Sequence, residues 1–422
     1  MDEYNLISLV GIFVLLAIAW AVSANRRRMN LRVIGWGLGI QFLLAAIVFL
    51  TPGSTRALRG VNDAVLHVLT AAQAGQEFIF GPLADDKGGF ILATQALPMV
   101  IFFAALMSLL YYWRVMPLII RGFAWVFTRF MRISGAESLC TASNIFVGVE
   151  SATTVRPYLG HMTRSELCTI LTAGMATVAS TTLGVYVLFL KDIFPTIAGH
   201  LISASLLSAP AAIVMSKIIL PETGQPLTLG KHVKGIHEPD AGAIDAIIKG
   251  AMAGVRLLVG ICALLIAFLG MIALVDLAIG GAGGWFGVEL SLGKVLGYVM
   301  RPFAMIIGVP PADAQQAGAM LGKRLVATEI PAYTDLATAI KAGSLSHPRS
   351  AVVIAYALCG FAHVASLAIF VGGIAALVPH RRGDLAAVGP RALLAATLAC
   401  LMTGGVAGVF FHTAQTVIQA GP

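Results

Sequence analysis

Charge is what this sequence has least of. Only 11% of its 422 residues are Asp, Glu, Lys or Arg, while 58% are hydrophobic. Soluble proteins average about 25% charged residues, so a soluble domain of this length lacks the groups to cover its surface. A disordered chain is excluded as well, because disorder needs the opposite bias. Cysteine is sparse and unpatterned. Cys140, Cys168, Cys262, Cys359 and Cys400 lie scattered in apolar stretches with no CxxC, which reads as buried free thiols. No HxxxH or HExxH spacing occurs, so the common zinc sites are not expected. The start, Met1-Asp2-Glu3-Tyr4, lacks the basic region of a cleaved signal, and the first apolar stretch is expected to stay as a span.

What is present is apolar sequence in long runs, with a mean hydropathy of +0.88. Twenty helical residues rise about 30 Å, one hydrocarbon thickness, so the length holds roughly eight to ten spans. The formal net charge of +8 sits in short loops between those runs. That is the positive-inside pattern, not a nucleic-acid surface.

Full spans read at about 5–24, 33–51, 90–113 (with Pro98), 166–190, 198–220, 250–280, 350–378 and 388–416. The stretch 54–89 is amphipathic and Gly-rich and is expected at the interface. Residues 114–137, with Arg114, Arg121, Arg129 and Arg132 among apolar positions, fit a basic helix on the cytoplasmic face. The Arg26–Arg28 loop, that basic helix, Lys217–Lys234 and Arg381-Arg382 all fall inside only if 138–156 and 309–345 each enter and leave on one side. Both are too polar and broken to span. Two re-entrant hairpins, with both termini outside, satisfy the count.

The two segments repeat a plan, each an interrupted stretch followed by two long spans. Matched interruptions in two halves mark the binding site of a transporter, since irregular backbone at membrane depth must line a cavity or be covered. The predicted architecture is an all-α polytopic membrane protein of about eight spans plus two helical hairpins in an inverted repeat, with interfacial helices.

Each hairpin carries one carboxylate among small or apolar residues. The first reads Ser143-Asn144-Ile145-Phe146-Val147-Gly148-Val149-Glu150-Ser151, the second Leu325-Val326-Ala327-Thr328-Glu329-Ile330. A lone carboxylate at membrane depth costs several kcal/mol, so Glu150 and Glu329 should hold a cation, a proton or ligand donors. The structural alternative pairs them with Arg156 and Arg324. The span 166–190 contains Gly174 through Gly184 with Thr177, Ser180, Thr181 and Thr182. Such a run can open a helix and offer oxygens to a hard cation, with Asn144 completing the set, or it can serve close helix packing. In 350–378, Gly360 can break the helix and Phe361 offers a ring face. His363 and Ser366 share one side, for a ligand or for packing.

These motifs together resemble the concentrative nucleoside transporters. Asn144-Ile145-Phe146-Val147-Gly148 with Glu150, Arg156-Pro157-Tyr158 and Met162-Thr163-Arg164-Ser165-Glu166-Leu167 match the family's first hairpin. Gly174–Ala179, Ser203–Pro210, Pro221-Glu222, Gly283–Gly287, Ala327-Thr328-Glu329, Ala357–Ala362, Ala96-Leu97-Pro98 and Leu109–Tyr112 follow in order along the whole chain.

The resemblance implies a homotrimer in the lipid bilayer, each protomer with a scaffold and a transport domain that moves like an elevator. Residues 1–135 (spans 1–3 and the basic helix) and 246–305 (the long sixth span and an interfacial helix) would form the scaffold. Residues 136–245 and 306–422 would carry the two hairpins with spans 4, 5, 7 and 8. The substrate would be a nucleoside, imported across a bacterial inner membrane by coupling to Na⁺ or H⁺, with no other cofactor and no nucleic-acid partner. Glu150 matches the glutamate that contacts the base, Glu329 and Ser366 the ribose-binding pair, and Phe361 the ring against the base. Asn144 and Thr177 match side chains that hold Na⁺, with Ser180 and Thr181 adding oxygens.

Three departures bear on specificity. Val149 stands where the family commonly has a Gln, in a motif one residue shorter; His363 replaces an Asn, and Thr328 replaces the Asn before the second glutamate. Changed hydrogen-bonding groups change which ligand is accepted, so an altered nucleoside preference is expected, with Val149 and His363 lining the site. The alternatives are a carrier of a modified nucleoside, a nucleobase or another small polar ligand, and, from a different class, an integral-membrane enzyme, for which no catalytic constellation is present.

Overall fold

The computed structural model describes residues 3–51, 53–84, 90–235, 240–284 and 291–412. The chain ends, and Trp285-Phe286-Gly287 of the expected motifs, lie outside the described residues.

The first helices follow the apolar runs. α1 (Glu3–Ala21) and α2 (Leu31–Leu50) flank the arginine loop, and Asn30 caps α2 by accepting from the Arg32 and Val33 amides. α3 (Ser54–Phe80) is one continuous amphipathic helix of 27 residues. A π-helical turn over Leu92–Ala96 and Pro98 precede α4 (Met99–Tyr112). α5 (Val115–Val126) continues through Phe127–Met131, where Arg132 turns the chain at φ 52°. The basic helix therefore ends sooner than 137.

The first hairpin comprises α6 (Gly135–Asn144), a 3₁₀ stretch over Val149–Val155 and the short α7 (Arg156–Leu159). The expected span 166–190 is two helices, α8 (Arg164–Ala176) and α9 (Ser180–Leu190), separated by extended backbone. α10 (Ile197–Ile219) and α11 (Ala243–Gly284) follow. α11 has 42 residues, about 63 Å at 1.5 Å each, twice a hydrocarbon core. α12 (Leu292–Ile306) lies along α13 (Ala314–Val326), which with α14 (Glu329–Lys341) makes the second hairpin. The expected span 350–378 is also broken, into α15 (Pro348–Leu358) and α16 (Val364–Leu377), before α17 (Arg382–Phe410) closes the bundle. By length and composition seven stretches can cross a membrane among the described residues, the broken α8–α9 counted as one, beside the short apolar α15 and α16.

The core centres on α10 and α17, nearly every residue of α10 being buried. Buried polar groups tie distant elements to it. The Arg349 guanidinium, fully buried, donates to the carbonyls of Tyr4, Gly308 and Gly408 and to the Asn5 and Ser8 side chains, fastening α1 to α15 and α17. Gln41 of α2 donates to the Leu207 carbonyl of α10 at 3.2 Å. Lys217 sits 2.7 Å from Glu137 and 3.6 Å from Glu222, a buried ion pair that anchors the base of the first hairpin. α4 and α11 cross closely because Gly250 and Gly254 have no side chains. A Cβ there would lie 2.7 Å from the Ala104 carbonyl oxygen and 2.6 Å from the Ile101 Cα. The five thiols are unpaired, four of them buried and Cys262 half-buried.

Candidate functional site

The first hairpin ends in oxygens. α6 stops at Asn144, and its last carbonyls are met by the broken α8–α9 segment. The Thr177 hydroxyl lies 2.7 Å from the Asn144 carbonyl and 2.8 Å from that of Ala173. Ser205 donates to the Ile145 carbonyl, and the Ser180 amide donates to that of Phe146, both at 3.0 Å. The Asn144 side chain is oriented by its own neighbours, giving a hydrogen bond to the Cys140 carbonyl and accepting one from Ser151 at 2.8 Å. Asn144 and Thr177 are buried, and the Ser180 and Thr181 hydroxyls find no partner among the described residues. The donors here are neutral oxygens, the chemistry of a hard monovalent cation. Among the described residues no group of three His, Cys, Asp or Glu could hold a metal ion. The four predicted cation residues are thus brought to one place.

Beside this cluster opens a cavity of about 610 Å³, within the size range of small-molecule sites. Val147, Gly148, Glu150 and Thr181 line one side; Met107, Tyr111, Lys249 and Leu257 line the other. Glu150 is exposed to it and makes no ion pair with Arg156. The side chain of Val149 lies outside the described residues.

The second carboxylate is held differently. Glu329 opens α14, where the helix N-terminus favours negative charge. It is buried, and the Tyr186 hydroxyl donates to its Oε1 at 2.7 Å. His363 Nε2 stands 3.0 Å from Oε2. His363 caps α16: its Nδ1 accepts the Ser366 amide at 3.1 Å, so in the neutral ring the proton sits on Nε2, facing Glu329. That N–H is close to Oε2 without being aligned on it, which leaves Oε2 able to accept from a ligand hydroxyl. The Ser366 hydroxyl completes the cap by accepting the His363 amide and shares its one proton between the carbonyls of Phe361 and His363. The half-buried Phe361 ring stands at 86° to His363 with centroids 6.4 Å apart.

Glu329, Phe361, His363 and Ser366 therefore gather at the second helix break and do not line the cavity that Glu150 faces. α9 joins the two clusters, with Thr181 at one and Tyr186, five residues on, at the other. Sequence reasoning does not single out Tyr186; a phenol within an aliphatic stretch is its only signal. Leu257 and Lys249 carry none at all. The expected Glu329–Arg324 alternative does not form, because the chain reverses between α13 and α14 and sends Arg324 to the end of α15.

Two broken helices facing two carboxylate-bearing hairpins define a cation-coupled secondary carrier. The comparisons with known proteins give the family. Residues 10–83 match the N-terminal model and 200–408 the C-terminal model of the Na⁺ dependent nucleoside transporters, and 93–193 match a nucleoside recognition model. The chain is 35% identical to the nucleoside permease NupC of Helicobacter pylori, over 96% of this chain and 98% of that one. It is 37% identical to an uncharacterized transporter of Haemophilus influenzae, over 96% and 97%. The transporter CNTnw, solved in an inward-facing substrate-bound state, superposes with a TM-score of 0.88 at 35% identity, over 96% of this chain and 98% of that one. The chain belongs to the concentrative nucleoside transporter family. It is a multi-pass membrane carrier of nucleosides coupled to Na⁺, not an enzyme.

Proposed function

We propose that the protein imports nucleosides across a bacterial inner membrane, as a homotrimer with both termini outside, by elevator-like movement of its hairpin-bearing part. The observation that carries this reading is the pair of helix breaks, at 177–179 and 359–363, each set against a hairpin that carries a carboxylate outside any Lys or Arg ion pair among the described residues, Glu150 in the first and Glu329 in the second. Na⁺ binds among Asn144, Thr177, Ser180 and Thr181. Glu150, with Val149 beside it, meets the base, and Phe361 lies against its plane. Glu329, turned by His363 and Tyr186, accepts the ribose hydroxyls, with Ser366 fixing that corner. Eight spans and two re-entrant hairpins in an inverted repeat accommodate the helices.

In this reading α4 and α11 belong to the scaffold, and 136–245 with 306–422 make the transport domain. Residues 1–135, with α1 and α2, complete the scaffold together with 246–305, and the polar ties of α1 and α2 to α15 and α10 are contacts between the two parts.

Radiolabelled uridine uptake into proteoliposomes tests the reading, with Na⁺ and proton gradients imposed separately. Uptake driven by Na⁺ and competed by ribonucleosides is expected. A Na⁺-driven uptake of some other ligand, with all ribonucleosides inert, would sink the substrate assignment. Weak competition by 2′- and 3′-deoxy analogues is expected from the Glu329 assignment; full competition would remove it.

A further inference from the structure

We propose that Arg324 is a resident cation for the second repeat, so that one mobile Na⁺ accompanies each nucleoside. The inference rests on the cation site proposed at Asn144. Arg324 is fully buried, yet no carboxylate lies within ion-pair distance of it among the described residues. One terminal nitrogen donates to the Ala357 carbonyl at 2.6 Å, while Nε and the other terminal nitrogen meet no hydrogen-bond acceptor. Lys323 next to it takes Asp335, and Glu329 takes Tyr186 and His363. A buried, unpaired guanidinium is costly unless something negative faces it.

What faces it is backbone, with the neutral Cys400 thiol beside it. Arg324 stands two residues before the end of α13, and its one acceptor is one residue before the end of α15. A helix C-terminus carries about half a negative charge, so two of them present about one unit, which a single monovalent cation balances. The first repeat has the same parts. α6 ends at Asn144 and α8 at Ala176, and Thr177 touches the Asn144 carbonyl. Among the described residues no basic side chain hydrogen-bonds to Asn144 or Thr177, and the oxygens there suit a mobile ion. The two corners adjoin: the Cys400 thiol lies 3.7 Å from the Ala176 carbonyl and 3.5 Å from that of Cys359. One corner takes its charge from solution and the other from its own chain.

The test pairs two measurements on the full-length protein in proteoliposomes. The first is the charge moved per nucleoside in the wild type, from the reversal potential under a fixed Na⁺ gradient. One charge is expected, and two would overturn the proposal. The second compares Arg324→Gln and Arg324→Lys with wild type by Na⁺ activation of uptake and by melting in NaCl against choline chloride. Arg324→Lys should keep a Hill coefficient near that of wild type. Arg324→Gln should steepen the Na⁺ dependence and gain a Na⁺-dependent rise in melting temperature larger than that of wild type. A folded Arg324→Gln protein with the wild-type activation curve and melting shift would also overturn it. Should wild-type uptake ignore Na⁺, the site at Asn144 falls on its own; the melting comparison still decides Arg324.

Discussion

Glu329 is the residue on which most of the proposed chemistry turns, because the Tyr186 hydroxyl donates to it and His363 stands beside it before any ligand arrives. Glu329→Gln removes a charged acceptor worth about 2 kcal/mol, so uridine binding should weaken roughly thirtyfold, read by calorimetry on the purified protein. Wild-type affinity in that variant would place the ribose elsewhere. Tyr186→Phe leaves the charge but strips one donor, and a loss of stability of about 1–3 kcal/mol should appear as a lower melting temperature. His363→Asn swaps a ring that both caps α16 and faces the carboxylate for a shorter amide. Ordinary ribonucleosides should then compete more strongly for uptake; an unchanged competition profile would show that His363 only caps the helix. Glu150, Glu329 and His363 were legible from sequence because ionisable groups stand out in apolar runs. Tyr186 was not, since an aromatic residue in a span is equally a packing residue until its hydroxyl is seen against an acid.

At the level of elements, the first break was one of two readings of a run dense in hydroxyls and glycines, the second was signalled by Gly360 alone, and the packing gives the reason for the second. Gly360 adopts φ 144°, and a Cβ there would sit 2.6 Å from the Cys400 sulfur and 2.7 Å from the Ala176 carbonyl oxygen. Gly360→Ala should therefore cost stability beyond the roughly 1–3 kcal/mol of backbone strain, with loss of monodisperse protein on size-exclusion chromatography. Gly372, inside α16 with open space around it, is the control. Alanine there should leave the melting temperature unchanged or slightly higher. The hairpin partners could not be read from spacing. Lys217 and Glu137 are eighty positions apart and meet only because α10 returns beside α6. Arg324 and Glu329, close in sequence, are parted by the reversal between their helices.

At the scale of the whole molecule, α11 stands out because so little of it is covered. Ile266, Leu274 and Leu277 on it are 77%, 59% and 74% exposed in a single protomer. The proposed trimer predicts three-copy species by native mass spectrometry in mild detergent, and Leu274→Glu should shift them toward the monomer if that face meets another protomer. A monomer under all conditions would remove the trimer. The last consequence concerns the thiols. With Cys140, Cys168, Cys359 and Cys400 buried and Cys262 half-buried in an apolar span, water-soluble maleimides should leave the folded wild-type chain almost unmarked. The natural sequence is then its own silent background. A single cysteine placed at the exposed Thr153, in the 3₁₀ stretch of the first hairpin where it lines the cavity, becomes a clean probe, and its labelling rate with and without substrate would report which side of the bilayer that cavity opens to.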